Sequence, residues 1–147
     1  MSYKGKYTPV NPRKYRGDPT NIIYRSLWER KLMKVLDMNS DVLEWSSEEI
    51  IVPYKSPIDG RWHRYFPDFL VTQREKDGVI RTKMIEIKPF KEVTGPTPIN
   101  EGNKPTRRYV NEVAKYAINS KKWEAAKSFC EKRNWDFVIL TEKELKV

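Results

Sequence analysis

An Asp-Gly pair at residues 77 and 78 constrains the fold of this chain more than any other feature of its sequence. It lies between two segments, Trp62 to Arg74 and Val79 to Lys88, whose aromatic and β-branched residues are typical of strands. An Asp-Gly turn between two such segments is a strong hairpin signal. We therefore expect the two segments to be antiparallel neighbours in one sheet.

The end of the second strand alternates strictly between apolar and charged residues, as Met84-Ile85-Glu86-Ile87-Lys88. Successive side chains of a strand point to opposite faces of the sheet. Ile85 and Ile87 can therefore face the core, while Glu86 and Lys88 emerge together on the other face. The pattern predicts an acid and an amine side by side.

The length of the turn decides whether Asp68, on the first strand, shares that face. Residues directly opposite each other in an antiparallel pair point the same way. A two-residue turn would place Asp68 opposite Ile87, on the wrong face. A turn formed by Lys76-Asp77-Gly78, ending in a left-handed glycine, places Asp68 opposite Glu86 instead. We predict this second register.

Asp68 and Glu86 would then form an oxygen-rich site in which unpaired charge is costly. The chain has one cysteine, Cys130, and one histidine, His63, so a zinc site built from several of these residues is excluded. Oxygen ligands favour Mg²⁺, for which Mn²⁺ can substitute. The predicted ligands are Asp68, Glu86 and the backbone carbonyl of Ile87.

The charge of the chain favours a polyanionic partner. Lys and Arg total 29 against 20 for Asp and Glu, which gives a formal charge of +9 and leaves DNA, RNA or an acidic membrane surface open. No apolar run approaches the roughly 20 residues of a membrane span, and no secretory h-region begins the chain. We expect a protein of the reducing cytoplasm with no membrane partner.

Residues 1–20 are predicted to form a basic N-terminal arm, because prolines and glycines discourage regular structure there. Interleaved cations and tyrosines suit a nucleic-acid backbone, and a disordered tail explains the composition equally well. The candidate DNA-binding residues are Lys4, Lys6, Arg13, Lys14 and Arg16.

Residues 21–147 are predicted to form a single α/β domain with a mixed sheet. A stretch rich in Pro, Gly and Thr at 89–105 is expected to be a mobile loop. The predicted elements are a helix over 22–38 capped by Thr20 or Asn21, strands over 42–54, 62–74 and 79–88, a helix over 106–133 with a break at Asn119-Ser120, and a strand over 135–141.

Pro67-Asp68 followed by Glu86-Ile87-Lys88 resembles the motif of the PD-(D/E)XK nuclease superfamily. The surrounding hairpin, the preceding helix bearing Glu29, and the following helix and strand fit that resemblance. Segments 24–30 and 135–142 are similar to TnsA-type endonucleases. The resemblance implies a restriction-endonuclease-like core and metal-dependent hydrolysis of DNA phosphodiesters. Its implied catalytic residues are Glu29, Asp68, Glu86 and Lys88, with Lys88 orienting water and Glu29 available as a further metal ligand.

Segments 3–18 and 63–69 are similar to the family of head completion nucleases of tailed bacteriophages. This resemblance implies double-stranded DNA as the substrate and a role in finishing the filled capsid after DNA packaging. It also implies phage portal or head proteins as partners. The expected location is the host cytoplasm during virion assembly, with retention in the virion head.

The acidic residues also have structural interpretations. Glu29 would lie exposed on the polar side of its helix, paired with Arg25 four residues earlier. Glu86 and Lys88 could be a solvated pair on an open sheet face. The register with Asp68 favours catalysis over that alternative.

Two functions other than an Mg²⁺-dependent endonuclease stay open at this point. One is a non-catalytic protein that binds DNA ends or the portal and closes the filled head. The other is a junction-resolving or transposition nuclease on the same fold, which differs in substrate geometry. A face that unites Asp68, Glu86 and Lys88 favours an enzyme, because a DNA-binding protein has no need to assemble one.

Overall fold

The computed structural model describes residues 3–99 and 102–147. Along the chain the elements are β1 (Gly5–Tyr7), a 3-10 turn (Pro12–Lys14), β2 (Ile22–Tyr24), α1 (Leu27–Met38), β3 (Val42–Ser47), β4 (Val52–Lys55), β5 (Trp62–Tyr65), β6 (Phe69–Arg74), β7 (Ile80–Ile87), α2 (Phe90–Thr94), α3 (Arg107–Glu131), β8 (Asp136–Leu140) and α4 (Glu142–Leu145).

The central sheet has the strand order β3-β6-β7-β8. Its first three strands are antiparallel, and β8 runs parallel to β7, so the prediction of an α/β domain with a mixed sheet is confirmed. The predicted order of a helix, three strands, a helix and a strand is too simple. Two small hairpins, β1–β2 and β4–β5, lie outside the central sheet.

The β6–β7 hairpin has the predicted register. Phe69 pairs with Ile85 and Arg74 with Ile80, and the Glu75 N–H donates to the Val79 carbonyl at 2.9 Å. Gly78 closes the three-residue turn with φ +83°, a conformation that side chains disfavour. Local turn chemistry thus determines which residues of the two strands meet.

Helices cover both faces of the central sheet, and the side chains of alternate β7 residues point to opposite faces. Ile85 packs with Met33 of α1 in one hydrophobic cluster. Met84 packs with Trp123 of α3 in the other. Glu86 therefore points into the α3 side of the sheet, which is a covered layer rather than an open face.

The first helix starts later than its apolar spacing predicted. Residues 22–24 form β2, which pairs antiparallel with β1, and α1 begins only at Leu27. Ser26 caps this helix by accepting a hydrogen bond from the Glu29 N–H at 3.1 Å, so the prediction of Thr20 or Asn21 as the cap is wrong.

The prediction of an irregular N-terminal arm is wrong for residues 3–20; residues 1 and 2 lie outside the described part of the chain. Tyr15 is buried, with its ring centroid 4.8 Å from that of Trp45 in β3. Asp37, at the end of α1, is fully buried and accepts hydrogen bonds from the Tyr7 hydroxyl and the Val10 N–H. Tertiary contacts order the segment in spite of its prolines and glycines.

Two predicted strands are each divided in two. The segment 42–54 becomes β3 and β4, and the segment 62–74 becomes β5 and β6 with a break at residues 66–68. Pro53 lies inside β4 rather than at its end, because a strand of a two-stranded ribbon has a free edge that needs no N–H from it. Because of this break, Asp68 lies directly before Phe69, the first residue of β6.

The last third of the chain departs from prediction in detail. Residues 90–94 of the expected loop form α2, while residues 100 and 101 of that loop lie outside the described part. Helix α3 runs unbroken through Asn119, which is buried. Its apolar residues Val110 and Val113 are exposed. None of the described helices has the length and apolar composition needed to cross a membrane.

Candidate active site

Asp68 and Glu86 meet where β6 and β7 lie side by side. Asp68 precedes the Phe69–Ile85 pair, so the hairpin register places it opposite Glu86. The Ile87 N–H donates to Asp68 Oδ2 at 2.8 Å. Burial raises the pKa of the Asp68 carboxyl well above its usual range, and the charge and hydrogen bonding of Glu86 raise it further. The predicted convergence of the two carboxyl groups is confirmed.

Glu86 is buried beneath α3, with only 5% of its surface exposed. Its Oε2 accepts a hydrogen bond from Nε1 of Trp123 at 3.5 Å. The interpretation of Glu86 as part of a solvated surface pair is therefore wrong. A buried acid next to a second buried acid needs a positive charge or a proton nearby.

The hydroxyl of Tyr65, at the end of β5, is buried beside the Glu86 carboxyl. Burial, followed by the charge and the hydrogen bonding of Glu86, raises the pKa of Tyr65, so the phenol stays protonated. Buried polar groups in proteins are rarely left unpaired. The hydroxyl is therefore a donor that faces Glu86 at the edge of the acid pair.

Two lysines supply positive charge at the acid pair. Lys88 follows β7, and its N–H donates to the Leu140 carbonyl at 3.0 Å, which holds the main chain at the parallel β7–β8 edge. Lys122 extends from α3. Burial and then the charge of Lys88 lower the pKa of Lys122, while Glu86 and Asp68 raise it, so Lys122 lies within electrostatic range of both acids and of Lys88.

Sequence reasoning missed both Tyr65 and Lys122. The Lys122 ammonium lies 5.7 Å from the ring centroid of Tyr54 and 5.6 Å from that of Tyr65. These contacts join α3 to the β4–β5 hairpin, and no local pattern in the sequence shows that the two elements touch. The only available signal is that Lys122 adjoins Trp123, a large apolar residue of the kind that packs in cores.

Glu29 lies in the first turn of α1 and is 8% exposed. The Ser26 hydroxyl donates to its Oε2 at 3.2 Å. Burial, opposed by this hydrogen bond and assisted by the charge of Glu48, leaves the pKa of Glu29 raised. The predicted exposed pairing with Arg25 is wrong, because Arg25 instead forms an ion pair with Glu48 at 3.2 Å.

Glu48 connects these groups to the acid pair through the main chain. Its N–H donates to the Asp68 carbonyl at 3.1 Å. Its φ of +54° lies in the left-handed region, where residues other than glycine are uncommon and tend to occur at functional sites. The backbone that positions Asp68 is thus held in a strained conformation.

Glu29 lies near the acid pair but does not form one cluster with Asp68 and Glu86. Its charge contributes to the raised pKa of Asp68. Across residues 3–99 and 102–147, however, no group of three or more His, Cys, Asp or Glu side chains is close enough to hold a metal ion. The structure therefore brings Asp68 and Glu86 together and leaves Glu29 near them.

The oxygen donors beside this pair fit a hard divalent cation. Asp68 and Glu86 offer carboxylate oxygens with few competing donors, and the Ile87 carbonyl belongs to the residue whose N–H binds Asp68. The donor set suits Mg²⁺ or Mn²⁺ better than a softer metal.

The five candidate DNA-binding residues fall into two groups. Lys14 Nζ donates to the carbonyls of Asp37 and Asn39 at 2.8 Å each, and Arg16 forms an ion pair with Glu44. These two residues thus have partners within the chain. The side chains of Lys4, Lys6 and Arg13 are exposed.

Residues 39–142 match the family described as TnsA-like endonuclease N terminal. The match spans more than half of the chain and includes the β6–β7 hairpin, α3 and β8. The chain belongs to this family of endonucleases.

The full chain is also similar to the Head completion nuclease of Enterobacteria phage T4. The two are 41% identical over 147 residues, which cover 99% of this chain and 95% of the phage T4 protein. Both similarities support a nuclease. Glu29 lies outside the family match and inside the region shared with the phage T4 protein.

Proposed function

We propose that this protein is a metal-dependent DNA endonuclease that hydrolyses phosphodiester bonds during completion of a phage head. The observation that carries the proposal is the buried pair of Asp68 and Glu86, with Lys88 and Lys122 in electrostatic range. Two acids in contact beneath a helix destabilise a fold unless a cation or a proton relieves them. Because the chain belongs to an endonuclease family, we assign this arrangement to phosphodiester hydrolysis.

Asp68, Glu86 and the Ile87 carbonyl would hold the Mg²⁺ or Mn²⁺ ion. When bound, such an ion supplies Lewis-acid stabilisation of charge on phosphate oxygens and activation of water. The Lys88 ammonium orients the attacking water and offsets negative charge as the phosphodiester reacts. The protonated Tyr65 hydroxyl is a donor that faces Glu86, and Glu29 adds negative charge at the edge of the site.

The phage context comes from the name of the relative, a head completion nuclease. We propose double-stranded DNA as the substrate and the virion assembly stage in the host cytoplasm as the setting. Portal or head proteins are the proposed partners, and retention in the virion head would follow from binding them. The positive net charge supports a DNA partner.

A non-catalytic role is the second candidate. The described residues contain no cluster of three potential metal ligands, which favours a protein that binds DNA ends or the portal and closes the filled head. In that case the acid pair would be retained for structure or for metal-assisted binding.

Plasmid cleavage in Mg²⁺ separates the two candidates. We expect the wild type to cut supercoiled DNA, and Glu86→Ala to lose both cleavage and Mg²⁺ binding because it removes a ligand. Lys88→Ala should keep metal binding and lose cleavage rate by a factor on the order of 10². Calorimetric titration and single-turnover cleavage measure the two quantities on the same preparations.

Lys83→Ala is the matched control, since Lys83 lies on the same strand and pairs with Glu75 at 3.7 Å, near the hairpin turn. It should cut at the wild-type rate. Wild-type cleavage by Lys88→Ala would overturn the assigned role of Lys88. A wild type that binds DNA but does not cut it under any Mg²⁺ or Mn²⁺ condition would favour the structural role.

A further inference from the structure

The β4–β5 hairpin has one face packed against the protein and one face in solvent. On the inner face, Tyr54 and Tyr65 are buried in the cluster formed with α3. The strands are antiparallel, with Lys55 paired to Trp62 and Pro53 to Arg64. Paired residues share a face, so these four residues lie together on the outer face. We call Lys55, Trp62 and Arg64 the hairpin surface.

Trp62 is 71% exposed, more than any other large hydrophobic side chain in the described part of the chain. A tryptophan in that position contributes little to the core, and exposed aromatic residues of this kind mark contact sites more often than chance. Phe66, the residue that follows β5, is 41% exposed and lies under the guanidinium of Arg64 at 5.9 Å. The exposed rings are thus interleaved with positive charge.

The cations of this region are free of ion pairs. Among the described residues, no acid forms a salt bridge with Lys55, Arg61 or Arg64, whereas the nearby Asp59 is engaged by His63 at 2.8 Å. Lysines and arginines without partners retain their full attraction for an external anion. The positive charge at the hairpin surface is therefore available to a polyanion.

A groove of about 800 Å³ continues this surface between the hairpin and the C-terminal half of α3. Trp62 and Lys55 border it on one side. On the other side Arg133 lies over the ring of Phe129 at 3.4 Å, which repeats the combination of cation and aromatic ring. The basic residues that α3 and the turn after it contribute to its lining are Lys132 and Arg133, together with Lys121, which is paired with Glu124 of the same lining at 3.6 Å.

The hairpin surface is directly connected to the acid pair. Arg64 precedes Tyr65, whose side chain lies on the inner face beside Glu86, and Asp68 follows three residues after Tyr65. A duplex held at Asp68 and Glu86 would therefore have further phosphates within reach of exposed side chains around Tyr65.

We propose that the hairpin surface binds duplex DNA beside the active site, with Arg64 and Lys55 on phosphates and Trp62 packed against the sugar-phosphate backbone. The inference rests on the proposed DNA substrate and assigns part of its contact surface. Cations beside exposed rings suit a duplex backbone, which offers phosphates at regular spacing with apolar sugar faces between them. An acidic polypeptide does not present its charges at that fixed spacing.

The test is fluorescence anisotropy with a short labelled duplex, in Ca²⁺ to limit cleavage. We expect Trp62→Ala with Arg64→Ser to weaken binding about tenfold or more. Arg64→Ser alone should reduce the slope of log affinity against log salt by about 0.9, the value for one phosphate contact. Trp62→Phe should bind within a few-fold of the wild type because it keeps an aromatic ring.

The control is Arg81→Ser, an exposed arginine near the turn of the β6–β7 hairpin that is paired with Asp77 at 2.9 Å. It should bind DNA like the wild type. Thermal unfolding followed by circular dichroism checks that each variant is folded, and the exposure of Trp62 predicts little change in stability.

Wild-type affinity of the double variant, or an equally large weakening in Arg81→Ser, overturns the inference. So does a double variant that loses binding to polyglutamate while retaining DNA, which would make the partner an acidic protein. Plasmid cleavage is scored separately. If the wild type binds DNA through the hairpin surface and cuts none, the proposed endonuclease fails and the DNA-binding role stands.

Discussion

Lys122 shows how much a single side chain adds to the site. Its ammonium lies over the rings of Tyr54 and Tyr65, its side chain is half-buried, and its charge interacts with those of Glu86 and Asp68. A cation in that position can stabilise negative charge that develops at the acid pair. The structure thus assigns two jobs to Lys122, packing and charge.

Lys122→Met separates these jobs, because methionine keeps an unbranched chain against the tyrosine rings and removes the charge. We expect single-turnover cleavage to slow by about tenfold, the effect of losing roughly 1.4 kcal/mol of transition-state stabilisation. The midpoint of urea unfolding should stay near that of the wild type.

Lys121→Met is the control for that variant, since Lys121 is the adjacent residue of α3, is exposed and pairs with Glu124 at 3.6 Å. It should cut at the wild-type rate. Equal rates for Lys122→Met and Lys121→Met would show that the Lys122 charge does not act on the reaction.

At the scale of elements, Asp37 ties the N-terminal segment to the end of α1. It is fully buried and accepts hydrogen bonds from the Tyr7 hydroxyl at 2.6 Å and from the N–H groups of Val10 at 2.7 Å and Asn11 at 2.9 Å. Burial raises its pKa, but these hydrogen bonds and the charge of Lys14 outweigh that effect and hold the pKa of Asp37 below its usual range. The ionised carboxylate is the form that holds the segment.

Asp37→Ala should destabilise the protein by on the order of 3 kcal/mol, because it leaves several buried donors without an acceptor. Tyr7→Phe removes only one of the hydrogen bonds and should cost about 1 kcal/mol. Urea unfolding monitored by tryptophan fluorescence measures both. Equal stability of Asp37→Ala and the wild type would show that the segment is not held in this way.

The depressed pKa also predicts a dependence on pH. Because the folded-state pKa of Asp37 lies below that of the unfolded chain, its contribution is fully present above the unfolded value. The contribution is lost as the pH falls below about 4 and through the folded value. Asp37→Asn should lack this component, so its free energy of unfolding should fall less than that of the wild type over the same acidic range.

At the scale of the whole molecule, the formal charge of +9 predicts DNA affinity that falls steeply as salt rises. Replacing Lys4, Lys6 and Arg13 together by serine should reduce the slope of log affinity against log salt by about 0.9 for each phosphate that one of them binds. Substitution is preferable to truncation, because removing the segment would also remove Tyr15 from the core.

The salt titration is read in the same anisotropy assay. An unchanged slope would show that these three residues do not contact DNA, and the basic surface would then be confined to other elements. A slope reduced with no change in unfolding midpoint would assign them to the interface, since their side chains are exposed and free to reach a phosphate.

Local signals in the sequence are enough to predict the β6–β7 hairpin, its three-residue turn and the register that brings Asp68 opposite Glu86. These features follow from interactions between near neighbours, the left-handed glycine of the turn and the alternation of side chains along a strand. The helical character of residues 107–131 and the final strand follow from the same kind of local periodicity.

What covers each face of the sheet depends on long-range packing, which local patterns do not report. Alternation showed that Glu86 points away from Ile85, but not that α3 lies over it, nor that Lys122 and Tyr65 approach the pair from elements distant in the chain. Local spacing also misplaced the start of α1 and the state of residues 3–20, because strand pairing and the buried Asp37 outweigh local preference. Periodicity reports the side on which a residue lies, whereas burial and charge depend on what packs against that side.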